Sequence, residues 1–218
     1  MSLENKLQEY RRQIAKSEEA ANRPKNSVSL VAVSKMVDSK TIYSALTYGQ
    51  MIFAENKLQE AKTKWSSLKK DWPVELRFIG SLQSNKVSEI VSIFDVIETV
   101  DREKIAYLLS IEMKKQKRYL PIYIQVNTGC EHQKSGVMPK DAKKLVDVCK
   151  NQYGLNVEGL MCIPPLKFNP GPHFCLLAKI ARECGIKKLS MGMTKDYEIA
   201  IAFGATSVRI GTGIFGER

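Results

Sequence analysis

The sequence contains no C-x-x-C pair, and its two histidines, His132 and His173, are too few and too scattered to build a metal cluster. The five cysteines, Cys130, Cys149, Cys162, Cys175 and Cys184, are an odd number. That argues against a disulfide framework and a zinc site, and leaves free thiols in a reducing compartment as the economical reading. No apolar run is long enough to span a membrane, and the chain is charged from Glu4 onward, where a secretory leader would be apolar. A soluble cytoplasmic protein is therefore expected. No Pro/Gly/Ser-rich linker or composition shift divides the 218 residues, so one domain over 1–218 is the natural expectation. Acidic residues are in deficit, 23 against 34 Lys and Arg for a net charge of +11, which raises the question of a nucleic-acid partner. The lysines, however, are dispersed over most of the predicted helices, with no recognition motif or row of stacking aromatics beside them. The excess reads as a solvated surface with a general attraction for phosphorylated metabolites. Neither nucleic acid nor a membrane is an expected partner.

What is present is a repeating alternation. An amphipathic segment over 2–22, with Leu3, Leu7, Tyr10 and Ile14 at helical spacing, is stopped by Arg23-Pro24. Apolar, β-branched runs then recur at 29–35, 50–54, 75–80, 94–98, 120–127, 155–160, 188–190 and 206–210. Between them lie helical patterns at 39–49, 57–70, 84–93, 101–117, 140–151, 174–184 and 196–203. Alternating strands and helices imply a parallel sheet covered by helices. An open doubly wound sheet competes, but eight repeats in so short a chain, without G-x-G-x-x-G after the first strand, favour a closed (β/α)8 TIM-type barrel with an extra N-terminal helix.

In such a barrel the active site lies at the carboxyl ends of the strands. There the sequence places Lys35, Glu55-Asn56, Ser81 with Gln83 to Lys86, Asn127, Ser190, and Arg209 with Gly211-Thr212. Loops are polar in any case, so part of this gathering is expected without a site. Lys35 ends the first strand, where a lysine either snorkels to solvent or points into a site. Gly211, Thr212 and Gly213 follow the last strand and can offer consecutive backbone N–H groups to a phosphate. Ser190, Met191 and Gly192, ahead of Met193 and Thr194, supply hydroxyl and amide donors near the same place. Arg209 shares the side of the sheet of Gly211, and if buried it needs a partner, either a structural carboxylate or a ligand acceptor. A lysine, an arginine and a phosphate cradle around one mouth match pyridoxal 5′-phosphate (PLP).

Eight runs carry a wider resemblance: LVAVSK (30–35), FAENKLQE (53–60), FIGSLQSNK (78–86), QVNTG (125–129) with KSG (134–136), GLMCIPP (159–165), LSMGMTKDYEIAI (189–201) and VRIGTGIFGER (208–218). Over nearly its whole length the chain resembles the pyridoxal phosphate homeostasis protein family, of the YggS or PROSC type. The barrel of that family is similar to the N-terminal domain of alanine racemase, fold type III among PLP-binding proteins. The resemblance implies that Lys35 is the Schiff-base lysine and that Asn56 lines the pocket. It also implies that Ser190 and Gly211-Thr212 hold the phosphate, and that Arg209 approaches the pyridine nitrogen. Three positions depart from the family pattern near the expected mouth. Ser81 stands where histidine or proline is common, Arg77 where histidine often precedes FIG, and Lys57 ends a Gly-Glu-Asn-Tyr-like motif that here reads Ala-Glu-Asn-Lys.

The implied role is to carry PLP as a lysine aldimine and to help balance vitamin B6 and amino-acid pools. PLP-dependent apoenzymes are the expected recipients, and a monomer is the expected state. Alanine racemases add a β-rich domain with a catalytic tyrosine, for which the 218 residues leave no segment. A permanently cationic arginine at the ring nitrogen also weakens the cofactor as an electron sink. Both points weigh against efficient catalysis. The alternative is a small PLP-dependent enzyme of the racemase type, using Tyr197 or the Glu55 loop as acid or base.

Overall fold

The computed structural model describes residues 1–217; Arg218, the end of the last quoted run, lies outside them. The described residues form a closed, all-parallel barrel of eight strands in chain order. The strands are β1 (Ser29–Val33), β2 (Ile52–Glu55), β3 (Glu75–Phe78), β4 (Val96–Val100), β5 (Ile122–Gln125), β6 (Val157–Met161), β7 (Lys188–Met193) and β8 (Ser207–Ile210). Closure is made by β8 on β1, with Val31 beside Arg209 and Ala32 beside Ile210. The first and last strands are thus neighbours, as the closed-barrel expectation required.

Around the barrel run α1 (Leu3–Ala20), α2 (Ser39–Thr47), α3 (Leu58–Asp71), α4 (Val87–Ile93), α5 (Glu103–Gln116), α6 (Pro139–Asp147), α7 (Gly171–Glu183), α8 (Tyr197–Ala202) and α9 (Thr212–Phe215). Strand alternation sorts the apolar residues into two regions. Leu30, Ala32 and Phe53 face the helices and join the large outer core, whereas Val31, Val33 and Ala54 pack together inside the barrel. Val96, Tyr123 and Met161 form a second interior cluster. The extra helix α1 is capped by Ser2, whose hydroxyl accepts from the Asn5 N–H. Near its far end the buried Glu18 accepts hydrogen bonds from the Asn26 N–H, the Ser27 hydroxyl and the Val28 N–H, which sets the turn into β1.

Two local expectations are corrected. The first strand stops at Val33, short of Lys35: Ser34 still pairs with Ala54, but Met36 takes a positive φ of 60° and turns the chain. The glycine-rich end after β8 is not an open turn, because Thr212 to Phe215 wind into one helical turn.

Candidate functional site

The carboxyl ends of the strands surround a cavity of about 570 Å³, and its walls differ in character. Lys35, Asn56, Arg209, Gly211 and Thr212 line it, together with Thr194, Lys195 and Asp196 from the turn between β7 and α8. The opposite wall is apolar, made by Ile163 to Leu166 and Phe168 in the loop after β6.

Lys35 is exposed at the mouth, in a turn whose flanks are tied down. The Ser34 hydroxyl donates to Glu55 Oε1 at 2.7 Å, and the Ser34 carbonyl accepts from Lys64 Nζ at 2.7 Å. The Met36 N–H donates to Glu60, which also pairs with Lys64. Glu55 itself points away from the cavity. It is fully buried against α3, where it also accepts from the Trp65 indole at 3.3 Å. Burial pushes its carboxyl above the ordinary value, against the pull of Ser34, Lys64 and Trp65. Its place is therefore under the Lys35 turn, not in the cavity as an acid or base.

Asn56 follows β2, and its Oδ1 is buried without a hydrogen-bond partner among the described residues. An orphaned acceptor of this kind costs free energy unless a ligand or water meets it. On the other side, Gly211 caps the single turn of α9, so the N–H groups of Thr212 and Gly213 have no intrahelical acceptor. The Thr212 and Thr194 hydroxyls lie 3.5 Å apart beside them. Gly213 has a second reason to be glycine, since a Cβ there would overlap the Tyr10 side chain of α1.

Arg209 reaches the cavity floor from inside the barrel and is 3% exposed, so its partners matter. Nη1 donates to Ser190 Oγ at 2.6 Å, Nη2 to the Cys162 carbonyl at 2.8 Å, and Glu98 stands 4.0 Å away. The choice between a structural carboxylate and a ligand is thus not exclusive: Arg209 has the first and borders the space for the second. Ser190 does not line the cavity with the phosphate-type donors. It is fully buried, and its hydroxyl donates to Glu98 Oε2 at 2.6 Å while accepting from Arg209. The register between β7 and β8 shifts over Ser190 to Met193, so the cavity-facing role there falls to Met193 and Thr194. Met191 faces the outer core. Gly192, at a φ of 93°, lets α8 approach, for a Cβ would stand 2.6 Å from that of Ala200.

The departures also find their places. Arg77 is inside the barrel, not at the mouth, and donates to Glu98 at 2.8 Å, Glu75 at 2.7 Å and Ser207 at 3.3 Å. Burial works to lower its pKa, but Glu98 and Glu75 outweigh that and hold the guanidinium above its ordinary value. Ser81 meets Ser135 across the exposed rim, and Lys57 is exposed at the start of α3. Asn127 fastens the rim loop, donating to the Glu131 carbonyl at 2.8 Å. Tyr197 is 5% exposed and turned toward α1: its hydroxyl donates to Gln13 at 2.5 Å and its ring meets Tyr10 edge-on. Asp196 does not cap α8 with its side chain but accepts from the Met193 N–H at 2.6 Å. Sequence reasoning missed Glu98. Its signal was a lone carboxylate within the apolar run Val96 to Val100, which demands a buried cation.

No group of three or more potential metal ligands occurs among the described residues. The alanine racemase N-terminal domain model matches residues 6–218. The chain is 37% identical to the pyridoxal phosphate homeostasis protein of Pasteurella multocida, over all of this chain and 98% of that one. It is 39% identical to the protein of the same name from Schizosaccharomyces pombe, over 88% and 85%. Among solved structures, PipY of Synechococcus elongatus with PLP bound superposes with a TM-score of 0.80 at 30% identity, covering 93% of this chain and all of that one. An alanine racemase from Clostridium difficile, at 10% identity and a TM-score of 0.70, shares the fold over 95% of this chain and 56% of its own. The chain belongs to the pyridoxal phosphate homeostasis protein family, a branch of the barrels described by the alanine racemase N-terminal domain.

Proposed function

We propose that residues 1–218 act as one PLP-binding barrel domain that holds the cofactor at the Lys35 amine and contributes to its homeostasis. The observation that carries this reading is one cavity bordered by four fitting features. These are a lysine on a fixed turn, an unpartnered Asn56 Oδ1, a buried arginine, and the turn after Gly211, where the Thr212 and Gly213 N–H groups lack an intrahelical acceptor. PLP supplies an aldehyde that condenses reversibly with a primary amine. The chain supplies the rest. Lys35 presents the amine, Thr212, Gly213 and the Thr194 hydroxyl receive the phosphate, Arg209 faces the ring nitrogen, and the Ile163 to Phe168 wall limits water. Ser190, Met191 and Gly192 support this site through Arg209 and α8 rather than by touching the phosphate. PLP-dependent apoenzymes receive the cofactor from a monomeric, cytoplasmic carrier. No described helix is long and apolar enough to cross a membrane.

Purified protein titrated with PLP should acquire a visible absorption band. Borohydride reduction followed by peptide mapping should then place the label on Lys35, and Lys35→Ala should abolish both. A label on Lys195, the other lysine lining the cavity, would overturn the assignment.

A further inference from the structure

Four side chains inside the barrel form one connected chain beneath the cavity: Arg77 to Glu98, Glu98 to Ser190, and Ser190 to Arg209. We propose that Ser190 is a spacer in this chain, a positioning residue that keeps Arg209 from closing onto Glu98 and so holds its guanidinium at the cavity floor. The proposal rests on the PLP reading above and extends it to the residues that set the cation facing the ring nitrogen.

The geometry fixes each role. Glu98 is a single, fully buried carboxylate between two buried arginines. Its Oε1 accepts from Arg77 at 2.8 Å and its Oε2 from the Ser190 hydroxyl at 2.6 Å. Because that hydroxyl proton points to Glu98, the oxygen lone pairs are left for Arg209, which donates to them at 2.6 Å. Arg209 and Glu98 remain 4.0 Å apart, close enough to attract strongly in a dry interior but without a direct hydrogen bond. The Cys162 carbonyl holds the guanidinium from the side at 2.8 Å. If the ion pair were only structural, the shortest arrangement would be direct contact between Arg209 and Glu98. The inserted hydroxyl forgoes that contact and leaves a localised cation bordering the cavity. Such a cation disfavours protonation of a ring nitrogen placed against it.

Ser190→Ala removes one oxygen and leaves the Arg77–Glu98 pair whole. It should let Arg209 draw toward Glu98 and away from the floor. PLP should then bind about tenfold more weakly, the effect of losing one hydrogen bond to a charged group. The visible band should shift while borohydride still labels Lys35. An analogue in which the ring nitrogen is replaced by C–H should bind the wild-type protein and Ser190→Ala equally. Ser190→Thr, which keeps a hydroxyl, should restore the band. In the ligand-free protein, the Arg209 Nε–H resonance should move in Ser190→Ala and stay in place in Ser190→Thr, a readout independent of PLP. Equal loss of PLP and the analogue, or an unmoved Arg209 resonance, would overturn the spacer role. Failure of the wild-type protein to take up PLP would instead overturn the cofactor reading, and the resonance would still decide the role of Ser190.

Discussion

Ser34 Oγ lies 2.7 Å from Glu55 Oε1, so the residue before Lys35 is fastened to a carboxylate with no solvent exposure. The lysine is placed by its neighbours rather than by its own contacts. A flexible side chain on a rigid turn can reach a ligand while losing little backbone entropy on binding. Ser34→Ala should therefore affect two things at once. Loss of a buried donor should lower stability by about 1–3 kcal/mol in urea unfolding, because one fewer donor meets the buried carboxylate. The looser turn should also slow the labelling of Lys35. A stability loss with labelling unchanged would show that the turn needs no fastening.

The same carboxyl gives the stability a pH signature. Burial raises the Glu55 pKa above its ordinary value despite Ser34, Lys64 and Trp65. Between the unfolded and folded pKa values the folded chain then binds more protons, so stability falls as pH rises through that window. The contribution is complete below the ordinary carboxylate pKa and lost above the folded one. Glu55→Gln should remove this slope. The stability difference between wild type and variant, followed by urea unfolding from acid to neutral pH, should shift against the wild type as pH rises. A constant difference would contradict the raised pKa.

Gly80 links β3 to the cavity by steric means. A Cβ at this position would overlap the backbone carbonyl of Asn56, and the Gly80 carbonyl is itself held by the Thr99 hydroxyl at 2.6 Å. Gly80→Ala must therefore displace the segment carrying the orphaned Asn56 Oδ1. A loss of about 1–3 kcal/mol is expected from overpacking, read as a lower Tm, together with weaker PLP binding in a titration. Unaltered affinity in a destabilised variant would remove Asn56 from the site.

Element order, barrel closure and the cavity position of Lys35, Asn56, Arg209, Gly211 and Thr212 were legible in the sequence. Each follows from the alternation of apolar, β-branched runs with helical patterns and from the rule that loops after strands build the site. What stayed illegible depends on which face a side chain takes over a single residue. Ser190 and Thr194 are four positions apart in one strand and turn, yet the register shift gives them different neighbours. Arg77 looked like a mouth residue because the pattern FIG follows it, but alternation directs it to Glu98 across β3 and β4. The position of the apolar wall after β6 stayed illegible as well, since it depends on how that loop folds back. Glu98 was findable, because a buried carboxylate opposite Arg209 was implied once Arg209 was taken as buried.

Tyr197 decides between carrier and racemase. Robust racemisation requires a group placed to move a proton on the substrate, and general acid–base help typically contributes about 10²–10⁴-fold. The Tyr197 hydroxyl is instead engaged by Gln13 of α1 and by Glu198, and burial, then Glu198, raises its pKa above the ordinary phenol value. Such a phenol holds its proton at neutral pH and bridges two helices. Tyr197→Phe should cost about 0.5–1.5 kcal/mol of stability, the usual worth of one hydrogen bond, and leave the Lys35 label intact. Loaded protein incubated with L-alanine should yield little D-alanine, whether or not residue 197 keeps its hydroxyl. Apoenzymes mixed with the loaded protein should regain activity as PLP moves across. Turnover of L-alanine that disappears in Tyr197→Phe would transfer the chain to the enzymes, and would require α1 to release the tyrosine it now holds.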